Sequence, residues 1–159
     1  MNVIKIKCNP RNYSYGSKRA YGSITTIVIH YTTGIGDTAE NNGNYFKNNV
    51  TKTSAHYFID RNGVIVKSVN RNRIAWHAGD WDMNVRSIGI ELCDIVDKPV
   101  SLAQKKALKA IIKSIKKQCK NVNTIIRHYD VTGKLCPKYY VEHEDEWKKL
   151  KTYLKKALV

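Results

Sequence analysis

Two histidines and a cysteine form a possible donor set for a divalent metal. His30 ends the β-branched run ITTIVIHY (24–31), where strand alternation puts it on one face with Val28 and leaves Ile27 and Ile29 on the other. His128 and Cys136 lie in RHYDVTGKLCP (127–137), where a turn at Thr132 and Gly133 would bring the two together. Imidazole nitrogen and thiolate sulfur are good zinc ligands, although this order and spacing is not a zinc-finger pattern. Two histidines and one cysteine leave a fourth tetrahedral position open for water, as a catalytic rather than a structural zinc requires. Such a site needs a proton acceptor for the water and a cation or donor for the developing oxyanion. Glu91 is a carboxylate inside the apolar run SIGIELC (87–93), opposite in face to Ile90 and Leu92. Burying it unpaired is costly, so it should face a cleft or have a partner. Lys134, two residues before Cys136, is placed to share the mouth of the same site. Each residue alone has a plainer reading: a structural strand-end histidine, a solvated strand carboxylate, an ordinary loop lysine. Their joint occurrence is what favours chemistry.

The elements that must position these residues follow from patterning. Residues 1–23 are polar and basic, with Pro10, Gly16 and Gly22, and are expected to be an irregular lead-in. Residues 24–31 form the first strand. Asp37 and Glu40 have the spacing of a capping box for a helix running to about Asn48. SAHYFID (54–60) and VIVKSV (64–69) flank Arg61-Asn62-Gly63, a hairpin signal. A polar loop rich in Trp and His (70–86) leads to the strand 87–93. Ser101 and Gln104 form a second capping box, after which Leu108, Ile111, Ile112, Ile115 and Cys119 share one helical face. Residues 124–127 are a short strand and 128–140 a turn-rich loop. A last helix starts near Glu144 with Trp147, Leu150, Leu154 and Leu158 inward, and His143 before it is a surface or capping residue. The expectation is one α/β domain over 1–159: a central mixed sheet flanked by helices, with the zinc site in a surface groove.

Composition bounds the function classes. Lys and Arg number 28 against 13 Asp and Glu, a formal charge of +15 that attracts polyanions without choosing among nucleic acid, lipid and anionic cell wall. Much of it falls on the two C-terminal helices, where a solvated lysine-rich face is an equal explanation. The N-terminal MNVIKIKCNP lacks an apolar run long enough for a signal peptide, and no stretch approaches the ~20 apolar residues of a membrane span. Synthesis in the cytoplasm, no membrane insertion and release by outside help are therefore expected. Cys8, Cys93, Cys119 and Cys136 are not expected to pair; Cys93 and Cys119 look like buried thiols.

The motifs IVIHYT, SAHYFID, AWHAGD, SIGIEL and HYDVTGKLCP occur in the order found in the N-acetylmuramoyl-L-alanine amidase type 2 family, which the chain resembles from about residue 24 to 140. That family includes phage lysozyme-type amidases, bacterial autolysins and animal peptidoglycan-recognition proteins. The resemblance implies one zinc ion held by His30, His128 and Cys136, Lys134 stabilising the transition state, and Glu91 acting on the attacking water. Many members carry a catalytic tyrosine near the hairpin's first strand; here that position falls on His56, followed by Tyr57, so His56 or Glu91 must cover its role. Non-catalytic members typically lack the cysteine, and Cys136 favours catalysis.

The implied reaction is hydrolysis of the amide between N-acetylmuramic acid and the L-alanine of the peptidoglycan stem peptide. His77, Trp76, Asn84 and Arg86 are candidates to line the substrate groove, with Trp76 stacking on a sugar or simply packing. Peptidoglycan is the expected partner, with anionic wall polymers a further one through the charge. One rival is a peptidoglycan-binding module of the same fold without activity. A nucleic-acid-binding protein rests on charge alone, and no RNP-like, zinc-finger or recognition-helix signature supports it.

Overall fold

The computed structural model describes residues 1–159. A six-stranded mixed sheet runs through the molecule in the order β1-β5-β4-β7-β3-β8. The strands are β1 (Val3–Lys5), β3 (Thr26–Tyr31), β4 (Tyr57–Ile59), β5 (Ile65–Lys67), β7 (Ser87–Leu92) and β8 (Thr124–Arg127), while β2 (Tyr13–Ser14) and β6 (Ile74–Ala75) form a separate antiparallel pair. Within the large sheet only the β4–β5 hairpin is antiparallel. Gly63 closes that hairpin with φ +79°, a conformation that costs glycine little.

One face of the sheet carries the main core. Ile27 and Ile29 of β3, Ile88 and Ile90 of β7 and Ile125 of β8 are sealed there beneath α3 (Leu102–Gln118) and α6 (Glu144–Lys155). The helices contribute the expected stripe: Leu108, Ile111, Ile112 and Ile115 from α3, Trp147, Leu150 and Leu154 from α6. Ser101 and Gln104 form the reciprocal capping box, and the Gln104 amide also donates to the Ile59 and Cys93 carbonyls, locking the helix start to two strands. The opposite face packs on α1 (Ala39–Asn48) through Ala39, Phe58, Val66 and Cys93. His30 and Glu91 project from this second face, near the carboxyl ends of parallel strands, where open α/β sheets present their ligand sites.

Four local expectations are corrected. The lead-in 1–23 supplies the edge strand β1 and the short strand β2 as well as turns. The first helix is capped by Thr38, whose hydroxyl accepts from the Asn41 amide. Asp37 instead accepts from the Thr32 hydroxyl, the Asn42 amide and the Asp94 backbone, so it ties three segments together rather than capping one helix. The loop 70–86 contains β6 and a short helix α2 (Trp81–Arg86), which Asp80 caps through the Met83 amide. The loop 128–140 winds into α4 (His128–Thr132) and α5 (Lys138–Glu142). All four cysteines are free and buried.

Candidate metal centre

His30, His128 and Cys136 converge, each offering a ligand atom within 4.8 Å of the others. His30 Nδ1 lies 3.8 Å from Cys136 Sγ, and the two imidazoles meet edge-on with centroids 4.8 Å apart. Local folding explains how residues distant in sequence arrive here. β8 delivers His128 beside β3, and α4 ends at Gly133 in a left-handed conformation (φ +80°) that turns the chain back. The Tyr129 amide then donates to the Cys136 carbonyl at 2.9 Å, closing the loop. Arg127, next to His128, braces it from behind: its guanidinium donates to both Asp130 oxygens, to the Tyr140 carbonyl and to Glu144.

The electrostatics suit a cation. Burial, reinforced by neighbouring His77, His128 and Lys134, holds His30 well below the usual histidine range. Burial and Lys134 lower His128 as well, so both rings are neutral near pH 7 and have a lone pair to donate. Burial pushes the Cys136 thiol up to about 12, with Glu91 adding to the rise. A bound divalent cation would reverse that shift, because a coordinating thiol is deprotonated. Glu91 stands directly opposite His30 in the β3–β7 register. Its Oε2 is buried with no hydrogen-bond partner, and burial raises the carboxyl to about 8 while Lys134 pulls it back down. An orphaned carboxylate oxygen beside a buried two-histidine, one-cysteine cluster fits a metal and its water.

A cleft of about 150 Å³ opens over this cluster, and His30, Trp76, His77, Glu91, His128, Lys134 and Cys136 all contribute to its wall. Tyr31, Phe46, Thr53 and Ser54 complete it, none of which the sequence patterns single out. Ser54 pairs with Trp76 through both its amide and its hydroxyl, holding the indole at the rim, and Trp76 Nε1 donates to Ser14. Lys134 is exposed at the mouth.

Three expected site residues fall elsewhere. His56 is fully buried, with Nδ1 accepting from the Gly89 amide and Nε2 facing the Arg73 carbonyl at 2.9 Å. Both ring nitrogens are therefore committed to backbone, and His56 is absent from the cleft wall. Asn84 is buried, and its Oδ1 accepts from the His77 and Ala78 amides. Arg86 is exposed beside Thr26, at the opposite end of β3 from His30. His77 reaches the site, but from behind: its Nδ1 is 2.8 Å from His30 Nε2.

A small mixed α/β sheet that sets a buried His-His-Cys cluster beside an orphaned carboxylate defines the structural class of this chain. The profile of the N-acetylmuramoyl-L-alanine amidase family matches residues 20–139, and the chain belongs to that family. It is 34% identical over 137 residues to the N-acetylmuramoyl-L-alanine amidase CwlA of Bacillus subtilis, covering 83% of this chain and 49% of that one. It is 32% identical to CwlL of Bacillus licheniformis, with 82% and 40% covered, so the chain spans about half or less of these relatives. Among solved structures, the catalytic domain of XlyA superposes with a TM-score of 0.77 at 25% identity, covering 97% of this chain and 99% of that one.

Proposed function

We propose that this chain hydrolyses the amide bond between N-acetylmuramic acid and the first L-alanine of the peptidoglycan stem peptide, with His30, His128 and Cys136 holding one zinc ion. The observation carrying this reading is the buried cluster of those residues beside the unpartnered Glu91 Oε2, within a chain of the amidase family. Zinc bound there would act as a Lewis acid towards the lactyl carbonyl and the attacking water. Glu91 takes the proton of that water and returns it to the departing alanine amine; its Oε2, buried and free of any other hydrogen bond, is available for both steps. Lys134, exposed at the mouth, places its ammonium towards the oxyanion that develops on the carbonyl. Trp76 at the rim supports a stacking contact with sugar or peptide. Action at the cell wall after holin-type release or lysis belongs to the same proposal.

The test is turnover of a soluble muropeptide by the zinc-loaded protein and by Glu91→Gln. The variant should keep its zinc and lose roughly 10²–10⁴ in kcat. Parent protein that binds muropeptide without cleaving it would contradict the enzyme and favour the binding module.

Anionic wall polymers are proposed as a second partner, and a specific cleft supports them. Two cavities of about 410 and 290 Å³ meet along the β1–β5 edge, sharing Lys5, Lys67 and Asn70. Arg71 lines the larger and Lys7 the smaller, and neither has an acidic residue in its wall. Lys5 and Lys67 face each other in register, a like-charge pair that destabilises a sheet. An edge lysine such as Lys5 is explained as a guard against strand pairing, but Lys67 lies on an interior strand. Arg71 is held in place by Tyr57 and Ser114, and none of the four cations has a carboxylate partner. A phosphodiester chain would supply the missing counter-charge.

A further inference from the structure

The AWHAGD segment forms the back wall of the proposed metal site, and its hydrogen bonds determine which nitrogen of His30 is free to ligate. The Ser87 hydroxyl donates to the Met83 carbonyl, which can only accept. Ser87 Oγ lies 3.1 Å from His77 Nε2 and, its own hydrogen spent, must accept there. His77 Nε2 therefore carries the proton. Its ring is buried between His30 and the bare Gly89 backbone with no carboxylate bonded to it, so a second proton would lack a counter-charge and Nδ1 holds a lone pair. That lone pair faces His30 Nε2 at 2.8 Å, so His30 Nε2 is the donor. In neutral His30 the remaining lone pair is on Nδ1, the nitrogen that faces Cys136 Sγ.

Two further features serve this arrangement. A Cβ at Gly89 would sit 2.6 Å from the His77 ring, so the bare backbone of a central strand is what lets the imidazole lie against it. Asn84 Oδ1 accepts from the His77 and Ala78 amides and so fixes the segment that carries the imidazole. We infer that His77, relayed from Ser87 and seated on Gly89, is a positioning residue that fixes the tautomer and orientation of His30 for metal binding rather than a contact for substrate. Orienting partners of this kind are usually carboxylates, carbonyls or waters; here a neutral imidazole does the work.

The inference rests on the metal site proposed above, and its test reads metal affinity rather than turnover. Zinc dissociation constants would be measured by competition with a chromophoric chelator for the parent, His77→Leu, His77→Asn and Ser87→Ala, together with the visible spectra of their cobalt-substituted forms. His77→Leu should weaken zinc binding about 10–100-fold and shift the cobalt bands. His77→Asn, whose Oδ1 can accept where Nδ1 does, should recover most of that loss. Ser87→Ala keeps the ring and nearly the whole volume, so it should fold even if His77→Leu does not, and should weaken zinc measurably because the His77 tautomer is no longer fixed. Parent-like affinity and spectra in Ser87→Ala, or a His77→Asn as damaged as His77→Leu, would overturn the relay. Absence of zinc binding by the parent itself would overturn the metal site and the relay together.

Discussion

The Glu91 carboxyl is buried with one oxygen unpaired, beside Lys134 and within the field of Asp37. In the metal-free protein its pKa rises from the ordinary 4.5 to about 8. Between those values the folded state holds a proton that the unfolded chain releases, so the contribution of this carboxyl to stability falls as pH rises through the window. Read as the difference between parent and Glu91→Gln in urea unfolding of the metal-free protein, this contribution should fall by about 2–4 kcal/mol between pH 5 and pH 8. It lies beneath the opposite rise that the depressed His30, His56, His77 and His128 give below pH 6.5. Parallel pH profiles in parent and variant would show that the carboxyl contributes nothing. The need for Glu91 to face a cleft or find a partner was legible from its apolar strand, and His30, His128 and Cys136 were legible from type and order. The position of His77 was not, since a polar tryptophan- and histidine-rich loop reads as groove lining. The available signal was Gly89, a glycine between Ile88 and Ile90 that marks a close approach. His56 misled because a resemblance aligns positions without saying that both ring nitrogens are occupied.

Long, strongly patterned elements were readable and short ones were not. β3, β7 and α3 follow from β-branched density, an apolar run and a capping box. The helices α2, α4 and α5, of five or six residues each, have too few turns to show periodicity and are held by tertiary contacts. Arg127 is the main such contact for the His128–Cys136 loop. Its side chain is 6% exposed and paired with Asp130 and Glu144. Arg127→Met should destabilise the protein by about 2–4 kcal/mol, since two carboxylates and a carbonyl lose a charged donor. It should also weaken zinc binding, although Arg127 touches no ligand atom, because the strand end that carries His128 is loosened. Calorimetry of the metal-free form and chelator competition read the two effects separately. A variant with parent-like zinc affinity would show that the loop holds its shape without the arginine.

Across the whole molecule the charge and the chemistry are separated. The metal cluster lies near the carboxyl ends of β3 and β7, while the lysine-lined cavities follow the β1–β5 edge on the other side of the hairpin. A net +15 was plain from composition, but its concentration at Lys5, Lys67 and Arg71 depends on strand register that composition does not hold. If that edge binds wall polymers, Lys5→Gln with Lys67→Gln should slow lysis of intact walls and reduce its salt sensitivity, while leaving turnover of a soluble muropeptide unchanged. Equal losses on both substrates would place the lysines in the fold or the site rather than in wall attachment. The proposed function makes the buried cluster the centre of a metal-dependent amidase. Its most direct test is digestion of purified peptidoglycan, with and without a chelator, followed by mass analysis of the soluble products. Free stem peptides beginning with L-alanine, abolished by chelation and restored by zinc, are the predicted result; released sugars, or peptides that persist undiminished after complete metal removal, would contradict it.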